Sequence, residues 1–383
     1  MMDDFIRSLF MSGHQYSDIV NLIYLDCGRT MSVRQLKRHL KRMGLKRNKN
    51  YSLEDVFHAV SSELSGSGSC LGYRSMTDRL RHRYGIKTPR SLVARVLREL
   101  DEEGVADRSN GVLRRRRYSN KGPNYLIHVD GYDKLKPYGF CIHGAMDGFS
   151  RRILWLKVAS TNNDPSVIGY YFTDYIKQIA GVPRCIRIDA GTENVLLCEI
   201  QRSFRADDND DMAGDMSVLI GKSTSNQRIE RFWRTLRNSV GQFWMNMFKD
   251  MSDTGIFSNA DAVHVETIRF CFHQLIEQDL EDFRNEWNSH RIRRQRNCDV
   301  PCSKPDLLYF APELFGTTDH KIEINYEDVI DVQAEFCKQP NDRGSSEPVF
   351  PTMCDNIMAV NGFSLPQSAD EAYDLYIQLL GQF

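Results

Sequence analysis

The pattern of apolar and polar positions changes character along the chain. Through about residue 118 it is helical. In residues 17–27 the apolar positions Ile19, Val20, Leu22, Ile23 and Leu25 cluster before Gly28, and Ser32 then stands as an N-cap ahead of Val33, Leu36, Leu40 and Met43. A second pair of helical segments, residues 76–84 and 91–100, is joined by Gly85-Ile86-Lys87-Thr88-Pro89. It is preceded by Ser65-Gly66-Ser67-Gly68-Ser69, which has the composition of a flexible connector. From Tyr125 the pattern turns extended, and residues 125–130, 138–147 and 152–159 are predicted strands with turn signals at Lys136-Pro137 and Asp147-Gly148-Phe149-Ser150. Asp164 and Pro165 open a helix whose broad apolar face includes Ile168, Phe172 and Ile176, and Cys185-Ile186-Arg187-Ile188-Asp189 is a short strand stopped by Ala190-Gly191. Further helices are predicted over residues 226–240, 244–251, 262–288 and 369–380.

With 41% hydrophobic and 26% charged residues in 383, the chain can bury sizeable cores, which excludes wholesale disorder and suggests about two or three domains. No apolar run approaches the ~18 residues of a membrane span, and the start, Met1-Met2-Asp3-Asp4-Phe5, is acidic where a signal peptide is basic, so neither secretion nor membrane insertion is expected. Ten cysteines include no Cys-x-x-Cys pair, which fits a reducing compartment, and His290 with Cys298 and Cys302 lacks the fourth ligand of a structural zinc site. The near-zero net charge hides a gradient. Residues 1–120 carry 23 basic against 13 acidic residues, 121–303 are balanced at 23 against 24, and 304–383 carry 4 against 14. A basic front suits a polyanion such as DNA.

Candidate chemistry follows from that front and from three carboxylates. Arg34, Lys37, Arg38, Lys41 and Arg42 cover the polar face of the second short helix. Two helices around a glycine suggest a helix-turn-helix, with a solvated basic face as the plainer alternative. Arg114-Arg115-Arg116-Arg117 reads as a phosphate clamp, a nuclear-import signal or a solvated linker. Asp130 lies on the first predicted strand and Asp189 ends the fourth, at the strand terminus where α/β sheets place their chemistry. In residues 226–240, Ile229, Phe232, Trp233, Leu236 and Val240 form the apolar side, and Gln227, Glu230, Arg231, Arg234 and Asn238 the polar one. Taken alone, Glu230 reads as a surface partner for the arginine four residues on.

Together, His128-Val129-Asp130, Asp147-Gly148-Phe149-Ser150-Arg151-Arg152, Asp189-Ala190-Gly191-Thr192-Glu193-Asn194 and Asn226-Gln227-Arg228-Ile229-Glu230-Arg231-Phe232-Trp233 resemble the integrase core of retroviral integrases and DDE transposases. The resemblance covers about residues 119–300. It implies an α/β, ribonuclease-H-like mixed-sheet core, which the residue pattern places after helix-turn-helix-like regions at 1–50 and 51–118 and before an acidic α+β region at 301–383. It also implies a metal-dependent recombinase that cleaves and joins DNA, with Asp130, Asp189 and Glu230 holding two Mg2+ or Mn2+ ions ~4 Å apart. The implied partners are element ends, a target duplex and further copies of the chain, with no membrane. The location would be nuclear in a eukaryote and cytoplasmic otherwise. Gln227, Arg231 and Arg234 would hold the DNA backbone, as would Arg34, Lys37, Arg38, Lys41 and Arg114 to Arg117. Asp133 and Asp147 compete with Asp130; the family uses the aspartate at Asp147 structurally. Glu193 reads as a loop residue that orients DNA or caps a helix, and the acidic residues 207–215 as a solvated loop. The alternatives are a transposon-derived DNA-binding protein that no longer transposes, and a metal-dependent nuclease on the same fold.

Overall fold

The computed structural model describes residues 2–45, 51–101, 119–221, 226–293 and 300–383. The chain divides into two units, one running to Lys121 and including Asn285–Thr318, the other comprising Gly122–Arg284 and Asp319–Phe383.

In the first unit, α1 (Met2–Met11), α2 (Tyr16–Cys27) and α3 (Val33–Arg42) enclose a core of Ile6, Phe10, Ile19, Ile23, Leu36 and Leu40. Gly28 ends α2 in the left-handed region at φ 63°, with its N–H returned to the Tyr24 carbonyl. Ser32 and Gln35 start α3 with a reciprocal capping box. A separate core of Val56, Val60, Met76, Leu80, Val93 and Leu97 lies among α4 (Leu53–Leu64), α5 (Tyr73–Tyr84) and α6 (Arg90–Leu100).

The Ser/Gly stretch expected to be a flexible connector is instead built into this core. Ser67–Cys70 is a 3-10 turn, and a Cβ on Gly68 would stand 2.7 Å from Glu63. The cause is Arg79, 1% exposed, which pairs with Glu63 and Glu286 at 3.1 Å each and donates to the Ser67 hydroxyl. A buried guanidinium demands such partners, and they fix the turn.

The second unit is built on a five-stranded mixed sheet of order β3-β2-β1-β4-β5. Its strands are β1 (Leu126–Tyr132), β2 (Cys141–Asp147), β3 (Ile153–Ala159), β4 (Cys185–Ile188) and β5 (Val218–Ile220). The first three form an antiparallel meander, while β4 and β5 run parallel to β1. This is the mixed sheet expected of the ribonuclease-H-like core. The crossover from β3 to β4 is α7 (Pro165–Ile179), capped by Asp164 and opened by Pro165, and α8 (Val195–Phe204) follows β4.

Beyond β5 come α9 (Gln227–Leu236), α10 (Gln242–Asp253) and α11 (Ala262–Ser289). The single helix predicted for residues 226–240 is interrupted, because Arg237–Gly241 is a π-helical turn. Leu236, Val240 and Trp244 are all buried at four-residue spacing. The wider turn cancels the drift that this spacing accumulates on a regular helix.

The acidic C-terminal region continues as α12 (Pro305–Phe310), α13 (Tyr326–Phe336), α14 (Phe350–Asn361) and α15 (Ala369–Leu380). Among the described residues its extended pairing is a single bridge, Ile322 to Val182. Gln333 of α13 bonds Thr173 and Lys177 of α7, and Tyr376 of α15 shares a 2.8 Å hydrogen bond with His264.

His143 on β2 is 1% exposed and accepts the Trp155 indole N–H at Nδ1. Burial holds its pKa down at about 3. An unfolded histidine takes up its proton near pH 6.5, so the stabilisation is complete above that pH and is lost as pH falls toward 3. Asp147, raised to about 6 by burial, works in the opposite direction, so the informative quantity is a difference between variants. Relative to His143→Asn, which keeps an acceptor and does not titrate, the native chain should lose stability by on the order of 1 kcal/mol per pH unit below 6.5. Urea unfolding at pH 7, 5.5 and 4 measures this, and parallel profiles would refute it.

Candidate active site

Strand register brings two of the carboxylates level. Leu126, Ile127 and His128 of β1 pair in parallel with Cys185, Ile186 and Arg187 of β4. Asp130 and Asp189 each lie two residues beyond the His128–Arg187 pair, and with a side-chain period of two they share a face, Asp130 within the second half of β1 and Asp189 just past the carboxyl end of β4. Asp130 is 9% exposed and Asp189 half-buried.

The third carboxylate arrives on α9. Asn226, 1% exposed just ahead of that helix, donates Nδ2–H to the Val129 carbonyl at 3.1 Å, and its Oδ1 meets His128 Nδ1 at 2.6 Å. His128 is kept neutral by burial, its pKa lowered to about 3, so its Nδ1–H is the donor. One asparagine thus ties the start of α9 to both sides of Val129, one residue from Asp130. Ile229, Phe232, Trp233 and Leu236 bury the inner side of α9, leaving Glu230, Arg231 and Arg234 exposed on the outer side.

Trp233 does more than fill the core. Its indole N–H donates to Asp130 Oδ2 at 2.9 Å, while Asp130 Oδ1 accepts the Gly131 N–H at 3.0 Å. Burial pushes the Asp130 carboxyl up to about 7, and the charges of Asp189 and Glu230 push the same way against the two hydrogen bonds. Among the described residues no lysine or arginine forms an ion pair with Asp130, Asp189 or Glu230. The set is thus oxygen-only, mutually repelling and without an internal counter-charge. That chemistry fits a hard divalent cation, although among the described residues no three such side chains are already gathered at ligand distances.

The competing carboxylates have other duties. Asp147 is fully buried and accepts from the Ser150 amide, the Ser150 hydroxyl and the Asn124 amide, which closes the β2–β3 turn. Asp133 pairs with Lys136 and accepts from Asn162. Glu193 folds back over Gly191, and buried Asn194 donates to both Glu193 and Asp189. The acidic stretch expected to be a solvated loop is exposed at Asp207, Asp211 and Asp215, and it is also paired: Asp208 and Asp210 with buried Arg205, Asp210 and Asp211 with Arg184, and Asp215 with Arg202.

The basic candidates are distributed differently. Arg34, Lys37, Arg38 and Lys41 are all exposed on α3, opposite buried Leu36 and Leu40, with Lys37 over the Tyr16 ring. Arg114 to Arg117, Cys298 of the zinc alternative and the Gln227 side chain lie outside the described residues. Asn226, Asn194 and Trp233 are site residues that a reading for carboxylates passes over; Asn226 and Trp233 frame the predicted helix motif and Asn194 ends the strand motif.

Asn226→Ala should cost roughly 1–3 kcal/mol in urea unfolding, because it removes two buried hydrogen bonds at once. A loss under about 0.5 kcal/mol would show that α9 is anchored by other contacts.

The family model described as an integrase core domain matches residues 117–310, just over half of the chain, and takes in all three carboxylates. Comparison with curated proteins gives no match. The chain belongs to the integrase core domain family, a lineage of the DNA recombinase and transposase type.

Proposed function

We propose that this protein is a divalent-metal-dependent DNA recombinase that cleaves and joins phosphodiester bonds with Asp130, Asp189 and Glu230. The observation that carries the reading is the placement of Asp130 and Asp189 on one face of adjacent parallel strands, with Glu230 on a helix tied to the first of them and, among the described residues, no cation paired with any of the three. Bound Mg2+ or Mn2+ supplies activation of the attacking oxygen and stabilisation of the leaving oxygen. The protein's own part is to hold its carboxylates where that charge is needed, and Asp130, whose pKa burial raises to about 7, would give up its proton where a cation is held. Arg231 and Arg234 project from the same helix as Glu230 and are suited to grip the phosphates on either side of the reacting one. The exposed cations of α3 supply a second DNA-binding surface in the other unit.

Asp130→Asn, Asp189→Asn and Glu230→Gln each remove a ligand charge at constant volume. Each should reduce nicking of supercoiled plasmid in Mn2+ or Mg2+ by about 100-fold or more, with the thermal midpoint not lowered. A variant that nicks at the native rate would remove its carboxylate from the assignment.

DNA binding separates from chemistry. Arg231→Ala and Arg234→Ala should leave the melting temperature unchanged and each flatten the slope of log K against log salt by about one. Arg34→Ala, Lys37→Ala, Arg38→Ala and Lys41→Ala combined should flatten it by about 0.9 for each phosphate that is no longer neutralised. Fluorescence anisotropy with a short duplex over 50–300 mM salt is the measurement, and an unchanged slope would return these side chains to the solvated surface.

A further inference from the structure

β1 and β2 pair so that Asp130 stands directly opposite Gly144. Glycine is unusual in a fully buried strand, where it weakens packing and marks a close approach. Here the approach is by the indole of Trp233: a Cβ built on Gly144 would lie 2.9 Å from the ring's Cη2, with Leu156 and the Trp155 carbonyl at 3.3 Å behind it. The ring is also held from its other sides, by Tyr132 at 5.3 Å and Phe232 at 5.0 Å between centroids. Its single polar atom points at Asp130 Oδ2, at 2.9 Å. A tryptophan three residues after Glu230 thus crosses onto the sheet through a gap left by a missing side chain and ends on the carboxylate of the central strand.

We propose that Trp233 is the positioning residue of Asp130, its indole N–H fixing the carboxylate rotamer for cation binding, and that Gly144 is the notch that admits the ring. This rests on the reading of Asp130 as a cation ligand given above. An Asp side chain otherwise turns about two bonds, and a donor locked by packing at 2.9 Å removes that freedom on the Oδ2 side while leaving lone pairs on both oxygens. The same tryptophan sits on the helix that carries Glu230, so one hydrogen bond registers the strand carboxylate against the helix carboxylate. A purely structural tryptophan would need the ring and not the nitrogen.

The test replaces the nitrogen and keeps the ring. Full-length protein is made with 3-benzothienylalanine at position 233, an isostere without N–H, alongside Trp233→Phe, Gly144→Ala and Asp130→Asn. Mn2+ binding is read by calorimetry, and by broadening of the resonances of 5-fluorotryptophan in the native chain, whose four tryptophans are assigned by substitution. The benzothienyl and Trp233→Phe proteins should bind Mn2+ about tenfold or more weakly, as removal of a ligand's hydrogen-bond partner typically does. The benzothienyl protein should melt near the native temperature. In native protein the Trp233 resonance should broaden on adding Mn2+, and this should fail in Asp130→Asn. Gly144→Ala should weaken Mn2+ binding similarly by displacing the ring, with the benzothienyl protein deciding the matter if Gly144→Ala does not fold. Native-like Mn2+ affinity of the benzothienyl protein, with Asp130→Asn defective, would overturn the positioning role and leave the cation site standing. Native-like affinity of Asp130→Asn itself would overturn the cation site and the positioning role with it.

Discussion

The charged form of a carboxylate that is nine-tenths buried is costly, and much of the second unit is arranged around keeping Asp130 in that position. Its two oxygens are met by a backbone amide and by an indole N–H. The indole reaches it because β2 carries glycine at the paired position. The ring is brought there by α9, whose start is fastened by Asn226 to the backbone one residue before Asp130. The π turn after α9 then keeps the following apolar residues on the buried side. Each of these features is local, but their common consequence is that an acidic group is carried inside an apolar sheet-helix interface and, among the described residues, pairs with no arginine.

The contrast with the other acids in the same unit is informative. Where acidic side chains brace a loop, arginines accompany them, as Arg205, Arg184 and Arg202 do for residues 208–215. Where an aspartate closes a turn, it takes three hydrogen bonds from that turn, as Asp147 does. Asp130 takes two hydrogen bonds and, among the described residues, no ion pair, and burial, with the charges of Asp189 and Glu230 added to it, holds its proton up to about pH 7. Among the described residues these three carboxylates form no ion pair, unlike the acids of residues 208–215, and it is on this contrast that the proposed cation site rests.

The strands and the crossover helix were legible because period-two alternation, Asp164-Pro165 and the Asp147-Gly148 turn are strong local signals. The pairing of Asp130 with Asp189 was legible as motif resemblance, and its physical basis, two strands in parallel register, appears only once β1 and β4 are adjacent. Other features were hidden for identifiable reasons. The Ser65–Ser69 composition carries no trace of the buried arginine that orders it from another helix. The pairing of the acidic residues after α8 was not legible because some of their arginine partners lie far off in the chain, as Arg184 does from Asp211 at a separation of 27 positions. An amphipathicity count scores Trp233 as apolar and so misses the one polar atom that matters. The readable signal was on the partner strand, where Gly144 stands within a fully buried run.

The helix α9 shows how fold and chemistry are coupled. Its inner residues, Ile229, Phe232, Trp233 and Leu236, are fixed by packing, and its outer residues, Glu230, Arg231 and Arg234, are exposed. Because successive residues turn by about 100°, the two sets cannot be adjusted independently. A change that rotates the inner face, such as filling the Gly144 notch, moves Glu230 and both arginines through the same angle. Among the described residues no ion pair holds these exposed side chains, so their orientation is inherited from the buried ones. A surface site of this kind owes its geometry to the core beneath it, and the hydrogen bond from Trp233 to Asp130 is the point at which core and site become one structure.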